Sequence, residues 1–203
     1  LLLLVAGCFS LQPLSTDLYL GSLPHLARYF GADASAAQAT LTVFVIGFGL
    51  AQLAAGPLSD RYRRRPVALG GCALYVCASL LCALAPGIGT LVFGRLLQAL
   101  GCCSVIVAAR TVIRDRHEPA AGAAVIARAS TLLATVPLIG PVIGGYTQLW
   151  FGWRAAFVIQ TLCGLALLGA SLRWLVETHL APDRYALRVR RLLAGYLELA
   201  RDR

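Results

Sequence analysis

The chain has 203 residues, of which 59% are hydrophobic and only 13% are charged, and its mean hydropathy is +0.75. Soluble domains carry about 25% charged residues, so this composition excludes a soluble enzyme, a secreted domain and a disordered chain. The net charge is +9, and all 18 basic residues are arginines. They stand in short clusters between long uncharged runs, which is not the pattern of a nucleic-acid-binding protein. The composition indicates a membrane protein.

The uncharged runs predict an all-α membrane protein with six transmembrane helices. A spanning helix needs about 20 largely apolar residues, whereas strands of a membrane barrel would alternate in polarity. Turns are expected at Pro86–Gly89 and near Gly144 and Gly145, where a run is too long for one helix. One arginine, Arg95, has to be accepted inside the fourth span. The predicted spans are 1–20, 38–56, 67–85, 90–110, 125–145 and 154–176.

The arginines also predict an orientation. All of them except Arg28, Arg95 and Arg154 fall in loops or span ends on one side, so the positive-inside rule places both chain ends in the cytoplasm. Beyond the sixth span, segment 179–203 is basic and carries apolar residues at helical spacing. We expect either an amphipathic helix on the cytoplasmic leaflet or a plain tail. The chain contains no Met, so it is not expected to be a complete translation product.

Catalytic and metal-binding signatures are missing from the sequence. The seven cysteines lie almost wholly in apolar runs with no C-x-x-C pair, and the three histidines fall in predicted loops or span ends. We find no G-x-S-x-G, no H-E-x-x-H and no phosphate-binding loop. Neither an enzyme nor a bound cofactor or metal is predicted.

Asp17 is a candidate proton-binding residue because it is a carboxylate in the outer part of the first predicted span. A charge at the centre of a bilayer costs about 2.5–3.5 kcal/mol on insertion scales, so such residues usually have a function. Burial would raise the pKa of the carboxyl toward ambient pH, as proton exchange requires. The alternative is a solvated residue at the end of the helix.

Arg95 is the second candidate, five residues into the fourth predicted span. Arginine keeps its proton in proteins, so it would serve as a fixed charge that pairs with a carboxylate, holds water or repels cations. Gln98 lies about one turn further on the same face and favours a polar cavity. The alternative is that Arg95 extends to the lipid headgroups.

A charged segment joins the second and third predicted spans. It carries one acidic residue among four arginines, which is more charge than orientation alone needs. Such an ion-pair network would hold one conformation and release in another, whereas a plain tight turn is the simpler interpretation. A second charged segment, Arg110–Arg116, follows the fourth span as in nested three-helix repeats. The candidate gate residues are Gly56, Asp60, Arg61, Arg64 and Arg65.

The fifth predicted span contains Pro137 and the sequence Gly140-Pro141-Val142-Ile143-Gly144-Gly145. Pro141 removes the hydrogen bond to the carbonyl of Pro137 and is expected to kink the helix. Gly140 and Gly144 form a small face that allows a neighbouring helix to approach closely. A kink that serves packing alone is the alternative.

Taken together, these segments resemble the major facilitator superfamily, specifically the Bcr/CflA-type drug/proton antiporters of bacteria. Leu14–Pro24 resembles the first-span motif, Gly56–Pro66 the loop signature, Arg95–Gly101 the fourth-span motif and Gly140–Gly145 the antiporter motif. The resemblance covers the chain as an N-terminal half of two inverted three-helix repeats, with residues 1–178 as the six-span half and 179–203 as a linker. Arg63 stands where the loop signature usually has Gly, Ala99 replaces a usual Gly, and Gly21 replaces Pro.

The resemblance implies proton-coupled efflux of small, largely apolar drugs across the bacterial inner membrane, with the proton gradient as energy source. It implies that Asp17, Arg95 and Gln98 lie near the proton and substrate site. It also implies a cytoplasmic gate at Asp60, with Arg61 and Arg64, and a second six-helix half as partner. A metabolite transporter of the same superfamily, or a half-size membrane protein that assembles with a partner without transporting alone, remain alternatives.

Overall fold

The computed structural model describes residues 2–178, apart from the side chain of Leu132; the predicted linker 179–203 lies outside the described residues. The described part is helical throughout, without a strand. Its eight helices are α1 (Leu2–Leu20), α2 (Leu23–Phe30), α3 (Ala34–Tyr62), α4 (Arg64–Ala83), α5 (Ile88–Arg116), α6 (Pro119–Leu133), α7 (Val136–Phe151) and α8 (Arg154–Trp174).

These helices form the six predicted spans. In the described region α3, α4, α5, α8 and the consecutive pair α6–α7 are each long and apolar enough to cross a membrane. The remaining span, α1, has 19 residues and is more polar because it contains Gln12, Pro13 and Asp17. Since α1 packs against α5, α6, α7 and α8, it belongs to the same bundle. The prediction of an all-α membrane fold is confirmed.

α5 lies at the centre of the bundle, between α3 and α4, and α8 covers the other side of α4. Gly101 permits the contact between α4 and α5, because a Cβ there would lie 2.6 Å from the backbone nitrogen of Tyr75. Small residues at such crossings let helix backbones approach closely where lipid provides no hydrophobic driving force. The buried core follows these contacts and extends to α1 through Leu11.

The charged segment between the second and third spans is helical, which corrects its interpretation as a loop. α3 continues through Asp60 and Arg61 to Tyr62, and α4 begins at Arg64. A single residue, Arg63, therefore makes the whole connection. It has φ 71° and ψ 161°, a region that is occupied almost only by glycine. Arg63 thus adopts a backbone conformation that glycine would adopt without strain.

Arg63→Gly is expected to stabilise the protein by about 1 kcal/mol. Backbone strain of this kind costs about 1–3 kcal/mol, and the greater freedom of glycine in the unfolded chain offsets part of the gain. Thermal unfolding of the purified variant measures the change. Arg61→Gly is the matched control, because it places glycine inside a helix and should cost about 1 kcal/mol instead. An unfolding temperature lower in Arg63→Gly than in the wild type would contradict this account.

The fifth span is interrupted earlier than predicted. The turn expected near Gly144 and Gly145 is wrong, because both residues lie inside α7, which continues to Phe151. The break falls at residues 134–135, between α6 and α7, two residues before Pro137. Pro137 has no N–H to donate to the preceding turn, so the first turn of α7 accommodates it without the loss of a helical hydrogen bond. Pro141 also lies within α7, but it does not end the helix.

Helix α2 is a further element that the span prediction did not contain. It begins just after Ser22 with Pro24 in its first turn, and it ends at Gly31, which has φ 58° and returns its N–H to Arg28. The side chain of Leu26, on the inner face of α2, is fully buried. The helix closes the end of the bundle opposite the arginine-rich connections, which we call the α2 end.

Candidate functional site

Arg95 lies in the interior of the bundle with none of its side chain exposed. Its Nη1 donates to Oε1 of Gln98 at 2.6 Å, and Nε2 of Gln98 donates to Ser79 and to Oε1 of Gln160, each at 2.7 Å. Gln160 donates onward to the backbone carbonyl of Leu14 at 3.4 Å. A polar chain therefore joins α5, α4, α8 and α1 through the middle of the bundle. Arg95 does not extend to the headgroups.

Aromatic rings surround the Arg95 guanidinium. Its Cζ atom lies 4.7 Å from the ring centre of Tyr19, 4.3 Å from that of Phe44 and 5.9 Å from that of Phe157. Cation–π contacts of this kind strengthen when water is excluded. The ion pairs found within residues 2–178 are both on Arg64, so no carboxylate of that region neutralises Arg95. Its Nε and Nη2 atoms have no hydrogen-bond partner in the same region.

Two hydroxyl pairs hold α1 beside this cluster. The Tyr19 hydroxyl lies 2.7 Å from Oγ1 of Thr40, and since Thr40 donates to the carbonyl of Ala37, Tyr19 is the donor. In the same way Tyr75 donates to Ser15 at 2.7 Å, because Ser15 donates to Leu11. Buried hydroxyls need such partners, so the register of α1 against α3 and α4 is fixed.

Asp17 is on a different face of α1 from Tyr19, and the structure does not bring it to Arg95. It is half-buried, it accepts a 2.9 Å hydrogen bond from Thr16, and it lies three residues before the end of α1. Its nearest packing partner is α7: a Cβ at Gly140 would lie 3.0 Å from that of Asp17, and a Cβ at Gly144 would overlap the carbonyl oxygen of Leu18. Gly140 and Gly144 therefore allow α7 to pack closely against the segment of α1 that carries Asp17.

A cavity of about 340 Å³ lies on this side of the bundle, between α1, α3, α5 and the broken α6–α7 span. Its wall is mainly apolar, with Phe9, Phe48 and Ile106, and it contains the polar groups of Gln12 and Arg110. Arg110 lies over the Phe9 ring, 5.5 Å from its centre. Pro13 lines the cavity one helical turn before Asp17, and Pro137 lines it beside the break. An apolar pocket with a few polar groups is the usual form of a small-molecule site.

Arg64 organises the arginine-rich end of the bundle. The residue is 3% exposed, and its guanidinium donates to Asp60 at 2.5 Å, to Asp115 at 3.1 Å and to Ser59 at 3.0 Å. Asp60 belongs to α3 and Asp115 to α5, so one side chain at the start of α4 holds the ends of two other helices. A planar guanidinium suits such a three-way contact better than an ammonium would.

The segment after α8 completes the arginine-rich end. Both carboxylate oxygens of Glu177 accept backbone N–H groups at the start of α4, from Arg64 and from Arg65, each at 3.1 Å. The Thr178 hydroxyl donates to Asp115 at 3.0 Å. These contacts satisfy N–H groups that a helix start leaves without intrahelical partners. Four elements thus meet at this end.

The predicted gate residues have different positions in this arrangement. Asp60 and Arg64 are in direct contact, whereas Arg61 is exposed and lies over the ring of Tyr62, 5.2 Å from its centre. Arg65 reaches the carbonyl of Leu172 at 2.9 Å. Gly56 lies on α3, and a Cβ there would meet no atom within 4 Å.

Asp115 and Glu177 are the residues that the sequence-based list of gate residues omitted. Asp115 stands between two arginines after the fourth span, as Asp60 stands beside arginines after the second. That recurrence is the signal that could have identified Asp115 as a partner of Arg64. Glu177 carries no such pattern, because its contact is made across 113 residues of chain.

The fold and its apolar helices define the class: a multi-pass helical membrane protein. A sequence profile described as Major Facilitator Superfamily matches residues 5–203. Over 83% of its length, the chain is 38% identical to a "Chloramphenicol resistance protein" of Pseudomonas aeruginosa and 35% identical to the "Multidrug resistance protein MdtL" of Escherichia coli O45:K1. It is also 36% identical to an "Uncharacterized transporter" of Rickettsia bellii, over 84% of its length. The chain belongs to the Major Facilitator Superfamily of transporters.

The chain spans 41–43% of the length of these curated relatives. Solved structures with the same fold include a peptide transporter in complex with sulfate, with a TM-score of 0.71 and 16% identity, over 97% of this chain and 44% of that one. A D-xylose-proton symporter has a TM-score of 0.66 and 15% identity, over 100% of this chain and 53% of that one. At these identities the likeness establishes the fold alone.

Proposed function

We propose that this chain forms half of a proton-coupled exporter of small, largely apolar drugs that works by alternating access in the bacterial inner membrane. A proton on Asp17 and a drug in the neighbouring cavity each displace the other, and inward proton flow drives export. The two relatives that are named for chloramphenicol and multidrug resistance support a drug as the substrate class. The energy source is the proton gradient, without a cofactor.

The observation that carries the proposal is the setting of Asp17. Within residues 2–178 it is the one carboxylate on a spanning helix that does not belong to the Arg64 network. Asp17 is half-buried against α7, where Gly140 permits the contact. It lies one helical turn after Pro13, which lines the cavity. Carboxylates inside membrane spans commonly mark proton pathways in transporters. We therefore assign the exchanged proton to Asp17 and the drug to the neighbouring cavity.

Arg95 and Gln98 take a different part in this proposal. Because Arg95 is wholly buried and keeps its proton, it acts as a fixed positive charge in the interior of the bundle rather than as a substrate contact. Its charge disfavours a cation in the same half of the bundle. The Gln98 amide, hydrogen-bonded to Arg95 and to side chains of α4 and α8, keeps that charge in place.

We propose that the partner of this half is a second six-helix unit that faces the cavity between α3 and α7. Such a unit accounts for the difference in length from the relatives, which are more than twice as long as the matched segment. The arginine-rich end lies in the cytoplasm by the positive-inside rule, with both chain ends on that side. The Arg64 network then serves as a latch that is closed in one state of the cycle and open in the other.

Asp17→Asn tests the proposal, because asparagine keeps the shape of the side chain but cannot exchange a proton. In cells that express the complete transporter, gradient-driven efflux of a drug such as chloramphenicol should fall to the level of cells without it. The amount of protein in the membrane should stay at the wild-type level. Asp33→Asn is the matched control, since Asp33 is exposed at the start of α3 and should leave efflux unchanged.

Normal proton-driven efflux by Asp17→Asn would refute the assignment of the proton site. A susceptibility panel then separates the remaining alternatives. Resistance to several unrelated apolar drugs supports an exporter of drugs. Growth that depends on one nutrient, with no change in drug susceptibility, would indicate a metabolite transporter instead.

A further inference from the structure

A second cavity, which has a polar lining, lies at the α2 end, far from the arginine-rich connections. It has a volume of about 440 Å³ and lies between α2 and the turn that joins α7 to α8. Three basic side chains line it: His25 and Arg28 from α2, and Arg154 from the first turn of α8. Three arginines, Arg28, Arg95 and Arg154, lie away from the arginine-rich end. Two of them, Arg28 and Arg154, line this one cavity.

The charge at this cavity is uniformly positive. None of its lining residues is acidic. The cavity also includes Gly152 and Trp153, which directly precede α8, and the N-cap of that helix has no side-chain hydrogen bond. The free N–H groups and the dipole at a helix start favour a negative charge. Two fixed guanidinium charges, a histidine and a helix start therefore attract an anion.

Two buried polar atoms at the cavity have no partner among the described residues. Trp153 is 4% exposed, lines the cavity and leaves its Nε1–H donor without an acceptor. Gln148 also lines it and leaves its Oε1 acceptor without a donor. Leaving a buried polar group unpaired costs about 1–3 kcal/mol. A ligand that offers both an acceptor oxygen and a hydroxyl or ammonium donor would satisfy both atoms.

Arg154 is held in place for such a ligand. Its Cζ atom lies 4.9 Å from the ring centre of Tyr29 and 4.4 Å from that of Trp153, and its Nη2 donates to the carbonyl of Ala85 at 3.4 Å. One guanidinium nitrogen is therefore occupied while the others remain available, and the stacked rings limit the motion of the side chain.

The rim of the cavity carries exposed aromatic side chains. Tyr29 is 57% exposed and Phe151 is 73% exposed, and Trp150, beside Phe151 at the end of α7, is 75% exposed. Large aromatic side chains at the end of a span are typical of the headgroup region of a membrane. The cavity thus opens at the depth where lipid phosphates lie.

We propose that this cavity binds a phosphate anion, supplied by the phosphodiester headgroup of an anionic glycerophospholipid such as phosphatidylglycerol. Arg28, Arg154 and the Trp153 Nε1–H donate to the phosphate oxygens. A headgroup hydroxyl donates to Gln148. A free phosphate ion shares the anionic part of this chemistry, so the two sources are distinguished by experiment.

Lipid binding to the purified protein, as its gene encodes it, tests the proposal. Native mass spectrometry of the protein in detergent measures its affinity for added phosphatidylglycerol, with phosphatidylcholine as the comparison lipid that lacks a net charge and a headgroup donor. Trp153→Phe keeps a smaller aromatic ring and deletes the N–H donor, while Arg28→Gln removes one exposed charge. Each should weaken phosphatidylglycerol binding about tenfold, the effect of about one charge-assisted contact. Arg128→Gln is the matched control, because Arg128 is exposed on α6 and outside this cavity.

Inorganic phosphate separates the two sources. If millimolar phosphate leaves the bound lipid in place, the site belongs to the lipid headgroup; if phosphate displaces the lipid in the wild type, the site is a phosphate site that soluble anions also fill. Wild-type affinity for phosphatidylglycerol in both Trp153→Phe and Arg28→Gln would overturn the proposal. Equal affinity of the wild-type protein for phosphatidylcholine would overturn it as well. Neither result bears on Asp17, so the proposed transport function is tested separately.

Discussion

Gly144→Ala is expected to lower drug efflux about tenfold or more and to destabilise the protein by about 1–3 kcal/mol. A Cβ at this position would overlap the carbonyl oxygen of Leu18, which is backbone and cannot rotate away. α7 would have to move off α1, and with it the packing beside Asp17 would change. Efflux from cells and thermal unfolding of the purified protein measure the two effects.

Gly145→Ala provides the control for this experiment. It is the next residue on α7, and its added Cβ would have no neighbour within 4 Å. Replacing a helical glycine with alanine at an open position is worth up to about 1 kcal/mol of stability, so this variant should be as stable as the wild type or more so. Equal efflux and equal stability in Gly144→Ala and Gly145→Ala would show that the close contact between α1 and α7 is not needed for transport or for stability.

Arg64→Met is expected to destabilise the protein by about 2–4 kcal/mol and to slow transport more than it weakens substrate binding. The substitution keeps an apolar stem of similar length but leaves Asp60 and Asp115 without their shared cation. Removing one partner of a buried charge pair typically costs about 3–5 kcal/mol. Both carboxylates are partly exposed, so water compensates a part of that cost. Drug binding to purified protein and efflux rate in cells separate the two functional effects.

Arg61→Met is the matched control for the latch. Arg61 is three residues away on the same charged segment, but it is exposed and contacts the Tyr62 ring instead of Asp60. Its replacement should change stability by less than about 0.5 kcal/mol. A normal turnover rate in Arg64→Met, or an equal loss in both variants, would contradict the role of Arg64 as the residue that holds the helix ends together.

The fold was largely predictable because its main determinant is composition. Long uncharged runs predict the spans without any knowledge of packing. Helix ends were less predictable. The charged sequence at the end of α3 is typical of a loop, but the helix continues through it to Tyr62. The break in the fifth span was misplaced for a related reason. Gly144 and Gly145 resemble a turn in sequence, but in the bundle Gly144 serves close packing against α1.

Among the candidate site residues, contacts within one helix were predictable from the sequence, whereas contacts between helices were not. Arg95 and Gln98 lie three residues apart on one helix, so their contact follows from helical geometry. The separation of Asp17 from Arg95 depends on which face of α1 meets α7, and a single sequence does not show this. The contact of Glu177 with the start of α4 likewise depends on how α8 packs on α4.

The central claim, that a proton on Asp17 and a drug compete, is tested most directly by proton release. The purified complete transporter is placed in weakly buffered detergent solution, drug is added, and the pH is recorded. The account predicts that drug binding acidifies the solution in the wild type and in Asp33→Asn, and that Asp17→Asn binds drug without releasing protons. Drug binding with no acidification in the wild type, or equal acidification in Asp17→Asn, would contradict it.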